Sequence, residues 1–315
     1  MRFSVIVMTY KSFDNLEKNL SSVSAQSFRD YEVILADDGS DDYDEAYVRE
    51  CIEKAGLAQK TITYHAGKNQ GTVRNYTDAI QNSKGEIIVP LSQDDVFYDE
   101  DVLSDLDRFF EESGALAACS KRSFAGKEIF PRNLEAELLS KEDVSLSYRY
   151  LLYRNVVYGA TFYFKKSLWE DVGGFDLDYR LMEDHPFALK LLSKGIPIKI
   201  FDRITILYGK EGVSSGEVVH TRVGLPLIKD NMTLYRKVIL PETQKFHSKR
   251  VQRAYKYRWL VSFYCYEKSK ALPWRKLCTY AWYPEAAILH KLYKKKYGLD
   301  AEACLAVMLM RLESK

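Results

Sequence analysis

The 315-residue sequence lacks several features that mark whole classes of protein. No apolar run approaches the 18 residues of a membrane-spanning helix. The apolar stretch within residues 1–11 is too short for a signal peptide and has no small-residue cleavage site, so we expect a first strand there. The five cysteines are odd in number and form no CxxC pair, which favours reduced thiols and a cytoplasmic protein. Internal repeats and low-complexity segments are also missing.

The overall composition, with 46% hydrophobic and 29% charged residues, is typical of a globular protein. Residues 245–297 differ, with fourteen Lys and Arg against two acidic residues and with thirteen aromatic residues. Basic and aromatic residues at helical spacing predict an interfacial helix on an anionic membrane surface. The alternative is a packed helical subdomain or a homo-oligomer interface. We expect no nucleic-acid partner, because no nucleic-acid-binding module accompanies the charge.

Strand and helix patterns alternate over the first 120 residues, which predicts a parallel sheet built from βαβ units. The predicted strands are 2–8, 31–36, 61–65, 86–91 and 115–119, and the predicted helices are 14–25, 44–55, 72–81 and 100–112.

The pattern is less regular after residue 120. Residues 120–155 read as a charged, irregular stretch with one short helix at 134–139. Later segments include an aromatic strand, two helices, two edge strands, a Gly/Ser loop and a helical region beyond residue 222. The aromatic strand is 159–164, and the two helices are 166–172 and 186–194. The edge strands are 198–200 and 205–208, and the Gly/Ser loop is 209–216.

Three acidic clusters lie at or near the ends of predicted elements. Asp37-Asp38-Gly39-Ser40 and Ser92-Gln93-Asp94-Asp95 each follow a buried strand, and Glu183-Asp184 opens a helix. The carboxyl ends of parallel strands line one crevice, where ligands bind. Carboxylates gathered there repel one another unless a cation, a donor or a proton compensates them. The clusters therefore predict a site with a hard metal ion and an ionised base.

The first cluster points to a nucleobase. A carboxylate such as Asp38 matches the single imide N–H of a pyrimidine, and Tyr10 is placed to stack on the base. The alternative is a solvated turn whose Asp side chains bond their own backbone.

The other two clusters point to a metal ion and a proton acceptor. In the second cluster, Asp94 and Asp95 can divide the ribose hydroxyls and a divalent ion between them, Mg²⁺ or Mn²⁺. In the third, a helix N-terminus keeps Asp184 ionised as a general base, although a capping acid has the same position.

Further contacts are predicted with less specificity. Asn69 lies in a loop that suits the underside of a nucleotide, and Arg74 reaches towards ribose or phosphate unless it is simply an exposed arginine. For His185, His220 and the turn at Tyr208, an ordinary structural role is the favoured interpretation.

Taken together, these motifs resemble those of the family-2 glycosyltransferases with the GT-A fold. The resemblance covers about residues 2–215 and rests on TYK, FRDYEVILADDGSDD, NQG with RN, GEIIVPLSQDD, GGFD and ED. It implies an α/β protein with a doubly wound, mostly parallel sheet over residues 1–220, in which 1–120 bind the nucleotide and 121–220 the acceptor. A helical region, 221–315, follows.

The resemblance also implies a function, that of a metal-dependent, inverting transferase. Its donor would be a nucleotide-diphosphate sugar, with UDP-hexose expected, and its acceptor a hydroxyl of a glycan or lipid-linked glycan at the cytoplasmic face of a bacterial membrane. The roles implied are base contacts for Thr9, Tyr10 and Asp38, ribose for Asp94, metal for Asp95 and catalytic base for Asp184.

Two departures from the family pattern keep an alternative open. Ser92 occupies the first position of a motif that often reads D-x-D-D, and residues 209–216 lack the Arg-His pair that many relatives have nearby. The alternative is a catalytically silent nucleotide-sugar-binding module that positions a partner transferase. A nucleotidyltransferase is set aside because residues 8–15 contain no glycine for a phosphate loop.

Overall fold

The structure, a computed structural model, describes residues 1–11, 13–124, 128–140, 143–209, 225–264, 288, 291–292 and 301–313. The chain separates into two compact units. The first unit comprises Met1–Pro131, Val157–Leu191 and Ile196–Gly212, and the second comprises Arg132–Val156, Leu192–Gly195 and Val213–Lys315. The second unit therefore includes residues 132–156, which the sequence analysis assigned to the acceptor half, 121–220, of the catalytic domain.

The elements alternate along the first unit and are mainly helical in the second. The strands are β1 (Phe3–Thr9), β2 (Tyr31–Asp37), β3 (Thr61–His65), β4 (Ile87–Ser92), β5 (Val96–Phe97), β6 (Ala117–Phe124), β7 (Glu128–Phe130), β8 (Phe162–Lys165) and β9 (Lys199–Tyr208). The helices are α1 (Leu16–Ser24), α2 (Glu45–Lys54), α3 (Thr72–Gln81), α4 (Val102–Ser113), α5 (Asn133–Ser140), α6 (Val144–Tyr153), α7 (Lys166–Asp171), α8 (Asp184–Ser193), α9 (Leu225–Leu234), α10 (Leu240–Gln244), α11 (Lys249–Tyr264) and α12 (Ala301–Glu313).

The first four strands form the predicted parallel sheet, in the order β3-β2-β1-β4. Both β1 and β2 are buried almost throughout, as their continuous apolar runs require. Local signals fix the helix ends: the Asp44 carboxylate accepts hydrogen bonds from the backbone N–H groups of Ala46 and Tyr47 at the start of α2. Gly114, with φ of 63°, ends α4 in the left-handed conformation.

The rest of the sheet mixes directions. β8 lies antiparallel between β4 and β6, and β9 pairs parallel with β6 and antiparallel with β5. The prediction of two edge strands at 198–200 and 205–208 is therefore wrong. They form one strand, β9, which has a neighbour on each side because β5 and β6 both pair with it.

The stretch 120–155 is also more regular than its charge suggested. It contains the end of β6, then β7, α5 and α6. The Asp143 carboxylate accepts a hydrogen bond from Leu146 N–H at the start of α6. Tyr150, Leu151 and Leu152 are then buried on the helix. A cap followed by an apolar face is enough to form a helix in spite of the surrounding charges.

Within the second unit, α6 and α11 are joined by hydrogen bonds. The Tyr255 hydroxyl donates to the Arg149 carbonyl at 2.8 Å, and Trp259 Nε1 donates to the Leu152 carbonyl at 3.2 Å. Both aromatic side chains are buried, together with Val251. In this described part of the basic tract the aromatic face therefore packs inside the second unit. Among the described residues, no helix is both long enough and apolar enough to cross a membrane.

Candidate active site

Three turns of the first unit meet at the carboxyl edge of the parallel sheet. β1 lies between β2 and β4, with Thr9 beside Asp37 and Met8 beside Ser92 in the strand register. The turn after β1, the Asp37–Ser40 turn and the Ser92–Asp95 turn are consequently neighbours. This is the convergence that the sequence predicted from the general behaviour of parallel sheets.

Asp37 organises the turn after β2 and is fully buried. Its carboxylate accepts hydrogen bonds from the Thr9 hydroxyl, from the backbone N–H and hydroxyl of Ser40, and pairs with His65 Nδ1. The distances run from 2.6 to 3.0 Å. Thr9, one of the predicted base contacts, therefore holds the turn through its hydroxyl. Asp37 is a structural group in this arrangement.

Asp38 holds a second loop beneath the same edge. Its carboxylate accepts hydrogen bonds from Asn69 Nδ2 at 2.9 Å and from the backbone N–H groups of Gln70 at 2.7 Å and Gly71 at 2.8 Å. Burial raises the pKa of Asp38, and the bonds from Gln70 and Gly71 oppose that rise. A carboxylate has about four acceptor directions, so three are in use and one remains for a ligand.

The loop at Asn69 is also contacted by Arg180, a residue that the sequence analysis did not single out. Arg180 Nη2 donates to the carbonyl and the side-chain oxygen of Asn69, and the Arg180 carbonyl accepts from Val73 N–H at 3.1 Å. Gly71 has a φ of 96°, and a Cβ there would come within 2.6 Å of the Arg180 carbonyl oxygen. No motif signals this contact, because Arg180 comes from a loop more than 100 residues away.

The turn after β1 presents Tyr10 at the surface, with 42% of the residue exposed. Lys11 adopts a left-handed conformation, with φ of 55°, and its backbone N–H donates to the Ser40 hydroxyl at 2.7 Å. Gln93 Nε2 donates to the Lys11 carbonyl at 2.5 Å. These bonds link the turns after β1, β2 and β4, while the Tyr10 ring is left accessible for stacking.

The Ser92–Asp95 turn places its two carboxylates in different surroundings. Asp94 is half-buried, and Asp95 is completely buried. One Asp95 oxygen, Oδ1, accepts from Gly209 N–H at 2.8 Å; the other, Oδ2, has no hydrogen-bond partner among the described residues. Burial, then the neighbouring Asp94 charge, raise the pKa of Asp95 to about 7. Asn19 holds the turn through its side-chain amide, which donates to the carbonyls of Ser92 and Asp95.

The residues of this turn fit a divalent ion. A buried carboxylate oxygen without a donor is compensated by a cation, and hard ions such as Mg²⁺ and Mn²⁺ take oxygen ligands. In the described part of the chain, no group of three or more His, Cys, Asp or Glu side chains is placed to hold a metal. One or two carboxylates are nevertheless the usual protein contribution when phosphates and water complete the coordination. Asp94 and Asp95 supply that number.

Asp184 begins α8 and is held by backbone donors. Its Oδ2 accepts from Gly159 N–H at 3.2 Å and its Oδ1 from His185 N–H at 2.6 Å. Asp184 and Glu183 line a small pocket whose other walls are mainly aromatic. Those walls are Tyr76, Gly159, Phe162, Phe164 and Phe175. A half-buried carboxylate at a helix N-terminus is suited to accept a proton.

The structure places the remaining predicted contact residues in different surroundings. Arg74 is exposed and its side chain makes no hydrogen bond or ion pair with other described residues. His185 is buried. His220 and the part of the predicted Gly/Ser loop beyond Gly209 lie outside the described residues. The half-buried rings of Tyr158 and Tyr208 beside Arg122 form a further feature that no sequence motif marks.

The family of the chain follows from comparison with known proteins. The model of the family described as glycosyl transferase family 2 matches residues 4–171. This match covers more than half of the 315 residues. The chain belongs to this family of sugar-transferring enzymes, as the sequence resemblance predicted.

Two relatives illustrate the range of similarity. A PGL/p-HBAD biosynthesis glycosyltransferase of Mycobacterium tuberculosis is 24% identical over 248 residues, which are 75% of this chain and 92% of that protein. An uncharacterized glycosyltransferase of Rickettsia typhi is 23% identical over 60% of this chain and 58% of its own length.

Solved structures show the fold. A mannosyltransferase of Pyrobaculum calidifontis in complex with GDP-Man and Mn²⁺ has a TM-score of 0.59 and 18% identity, covering 100% of this chain and 88% of the other. Residues 1–349 of S. aureus TarS in complex with UDP-GlcNAc have a TM-score of 0.57 and 17% identity, covering 99% and 91%. In a longer TarS structure the chain spans half of the other protein's length. The predicted GT-A fold, an α/β domain with a mostly parallel sheet followed by a helical region, is confirmed.

Proposed function

We propose that the protein is an inverting, metal-dependent glycosyltransferase that moves a hexose from UDP-hexose to a hydroxyl group of a glycan or lipid-linked glycan. The observation that carries this proposal is the buried Oδ2 of Asp95, which has no hydrogen-bond partner in the part of the chain that the structure describes. It lies next to Asp94 and at the same sheet edge as Asp38. The family and the nucleotide sugars bound by similar structures support it. The acceptor class rests on the sequence resemblance and is consistent with synthesis of bacterial surface polysaccharides or glycoconjugates.

The donor site is assigned residue by residue. The one free acceptor direction of Asp38 takes the base imide N–H, Tyr10 stacks on the base, and Thr9 positions the turn below it. Asn69 supports the loop under the nucleotide, and Arg74 reaches the ribose or phosphate. Asp94 binds the ribose and Asp95 holds the divalent ion, which would act as a Lewis acid on the departing diphosphate.

Asp184 serves as the catalytic base. Its carboxylate takes the proton from the acceptor hydroxyl while the hydroxyl oxygen bonds to the anomeric carbon. The bond from that carbon to the diphosphate oxygen breaks on the opposite face, so the configuration inverts. The backbone N–H groups of Gly159 and His185 hold the carboxylate in place during this transfer.

The first test is thermal unfolding with Mn²⁺ and a panel of UDP-, GDP- and TDP-sugars. A ligand that binds only the folded state raises the melting temperature by mass action. We expect a shift with UDP-hexose that requires Mn²⁺ and disappears in Asp95→Ala. If none of the donors produces a shift, the transferase proposal is wrong.

The role of Asp184 is tested by Asp184→Asn. We expect turnover to fall by about 10²–10⁴-fold, the usual contribution of a general base. The melting-temperature shift with donor and Mn²⁺ should remain, because the base acts on the acceptor. If Asp184→Asn lost donor binding to the same extent as turnover, the assignment would be contradicted. Donor binding by a wild-type protein that shows no turnover would instead favour the silent binding module, the alternative that Ser92 suggests.

The basic tract at 245–297 is proposed to bind an anionic membrane at the cytoplasmic face. Its charge supports this role, whereas the burial of Tyr255 and Trp259 supports the packed-subdomain or homo-oligomer alternative for the first part of the tract. Sedimentation with phosphatidylserine vesicles distinguishes them. Salt-sensitive binding is expected for the membrane role; failure to bind at low salt would leave the packed subdomain.

A further inference from the structure

Arg122 of β6 has an unusual environment for a charged residue. Its guanidinium carbon lies 3.9 Å from the centroid of the Tyr158 ring and 4.0 Å from that of the Tyr208 ring. Cation–π contact with two rings fixes the guanidinium and limits the number of water molecules around it. The two tyrosines thereby hold one positive charge in a defined position within the first unit.

Burial raises the pKa of the Asp95 carboxyl and the charge of this guanidinium opposes that rise, so Asp95 is an anionic neighbour of Arg122. Arg122 Nε is buried without a hydrogen-bond partner, and its side chain makes no ion pair with any described residue. Other partly buried arginines of this unit are paired: Arg2 contacts three carboxylates, and Arg203 contacts Asp99 and Asp105. A buried donor and a desolvated charge are unfavourable unless something binds them. Among the described residues, the half-buried Arg122 therefore has Asp95 as a charged neighbour but no acceptor for its Nε–H, which an anionic ligand would supply.

The two tyrosines connect Arg122 with both halves of the proposed site. Tyr208 is followed by Gly209, whose N–H donates to Asp95 Oδ1 at 2.8 Å. Tyr158 is followed by Gly159, whose N–H donates to Asp184 Oδ2 at 3.2 Å. The guanidinium thus lies beside the residues that position the metal carboxylate and the catalytic carboxylate. The donor's diphosphate and sugar must lie between those two carboxylates if the proposed function is right.

We propose that Arg122 binds the diphosphate of the sugar donor, at the phosphate bonded to the sugar, and stabilises the charge that develops there as the glycosidic bond breaks. This inference rests on the proposed function. A planar guanidinium matches two phosphate oxygens at once, which suits arginine better than lysine to this role. The tyrosine rings orient the group before the donor binds, so little reorganisation is needed during the reaction.

The experiment compares ligands that differ by one phosphate. Dissociation constants of UDP and UMP, and of GDP and GMP, are measured calorimetrically in Mn²⁺ for the wild type, Arg122→Met and Arg122→Lys. Arg49→Met is the matched control, since Arg49 lies on α2, is exposed and pairs only with Glu45 among the described residues. For the base that the wild type binds, we expect Arg122→Met to raise the dissociation constant of the nucleoside diphosphate by about 10- to 100-fold. The dissociation constant of the monophosphate should rise by less than about twofold. Arg122→Lys should give an intermediate loss, and Arg49→Met none.

Equal weakening of diphosphate and monophosphate would show that Arg122 supports the fold of the site, and would overturn the inference. Unchanged binding of the nucleoside diphosphate would also overturn the inference. If the KM for the sugar donor alone rose, Arg122 would contact the sugar and not the diphosphate. Should Arg122→Met fail to fold, the diphosphate-to-monophosphate ratio of Arg122→Lys decides between the same outcomes. Wild type that binds none of the four nucleotides would overturn the proposed function itself, which separates the two failures.

Discussion

Two Asp-Asp pairs end the strands on either side of β1, and the structure treats them differently. In the turn after β2, Asp37 makes four hydrogen bonds, two of them with Ser40, and Asp38 makes three. In the turn after β4, Asp95 is just as buried but has one oxygen without a partner among the described residues. A carboxylate that accepts hydrogen bonds on both oxygens stabilises the local fold. A buried carboxylate oxygen that accepts none is available to bind a cation. Buried aspartates at the two strand ends therefore differ: Asp37 has a structural role, whereas Asp95 has a proposed role in metal binding.

The sharpest way to break this comparison is to remove the Asp95 charge. We expect Asp95→Asn to lower turnover by about a thousandfold, because a metal ion that acts as a Lewis acid contributes several kcal/mol to transition-state stabilisation. Turnover at saturating donor and Mn²⁺ is the measurement. The melting temperature in EDTA should stay the same or rise, because the amide removes a buried charge and keeps an oxygen that can accept the Gly209 N–H. A large fall in that melting temperature would make Asp95 a structural residue like Asp37.

Whereas Asp95→Asn reduces turnover, we expect Asp37→Ala to reduce the stability of the fold. It leaves the Ser40 and Thr9 donors and His65 without their acceptor, so we expect a loss of about 3 kcal/mol in the free energy of unfolding. Urea denaturation measures the change. Asp41→Ala is the control, since the Asp41 side chain is 92% exposed in the same loop and should change stability little. Comparable losses from the two variants would contradict the structural role of Asp37.

The smallest effect concerns pH. Because the pKa of Asp95 is raised from 3.8 to about 7 in the folded state, the folded protein holds a proton that the unfolded chain releases. The stability from this group is complete below pH 3.8 and is lost as pH rises through 7. In EDTA, wild type should therefore lose about 2 to 3 kcal/mol more than Asp95→Asn between pH 5 and pH 8. Parallel stability curves for the two proteins would show that Asp95 is ionised in the folded state without metal.

The sequence predicted the strands and helices of the first half closely. The bounds of β3 and α3 agree with the structure to the residue, and the other predicted elements up to residue 113 agree within two residues, whereas the two-residue strand β5 was not predicted. These elements follow from local signals: apolar runs of strand length, Asp44 as a cap and Gly114 as a stop. β9 was missed as a single strand because its residues are mixed in polarity, and its pairing with β5 and β6 depends on segments 80 to 110 residues earlier in the chain.

For the candidate site, the sequence identified which carboxylates gather at the sheet edge, and it did not distinguish their surroundings. It could not show that Asp38 already holds the loop at Asn69, that Arg180 supports that loop, or that Arg122 packs against Tyr158 and Tyr208. Each of these contacts joins residues that are distant in sequence, and no spacing rule connects them.

The sequence alone was sufficient for the family and the GT-A fold, through the resemblance of its motifs. It was also sufficient for the positions of the acidic turns, because apolar periodicity and turn residues depend on near neighbours along the chain. The tertiary structure decided which acid has a full set of donors and which lacks one. It also placed the guanidinium of Arg122, which forms no ion pair with a described residue, beside the residues that hold Asp95 and Asp184. The physical reason is that hydrogen bonding and burial depend on atoms brought together by folding, and a carboxylate's neighbours in space determine whether it stabilises the protein or is available to bind a ligand.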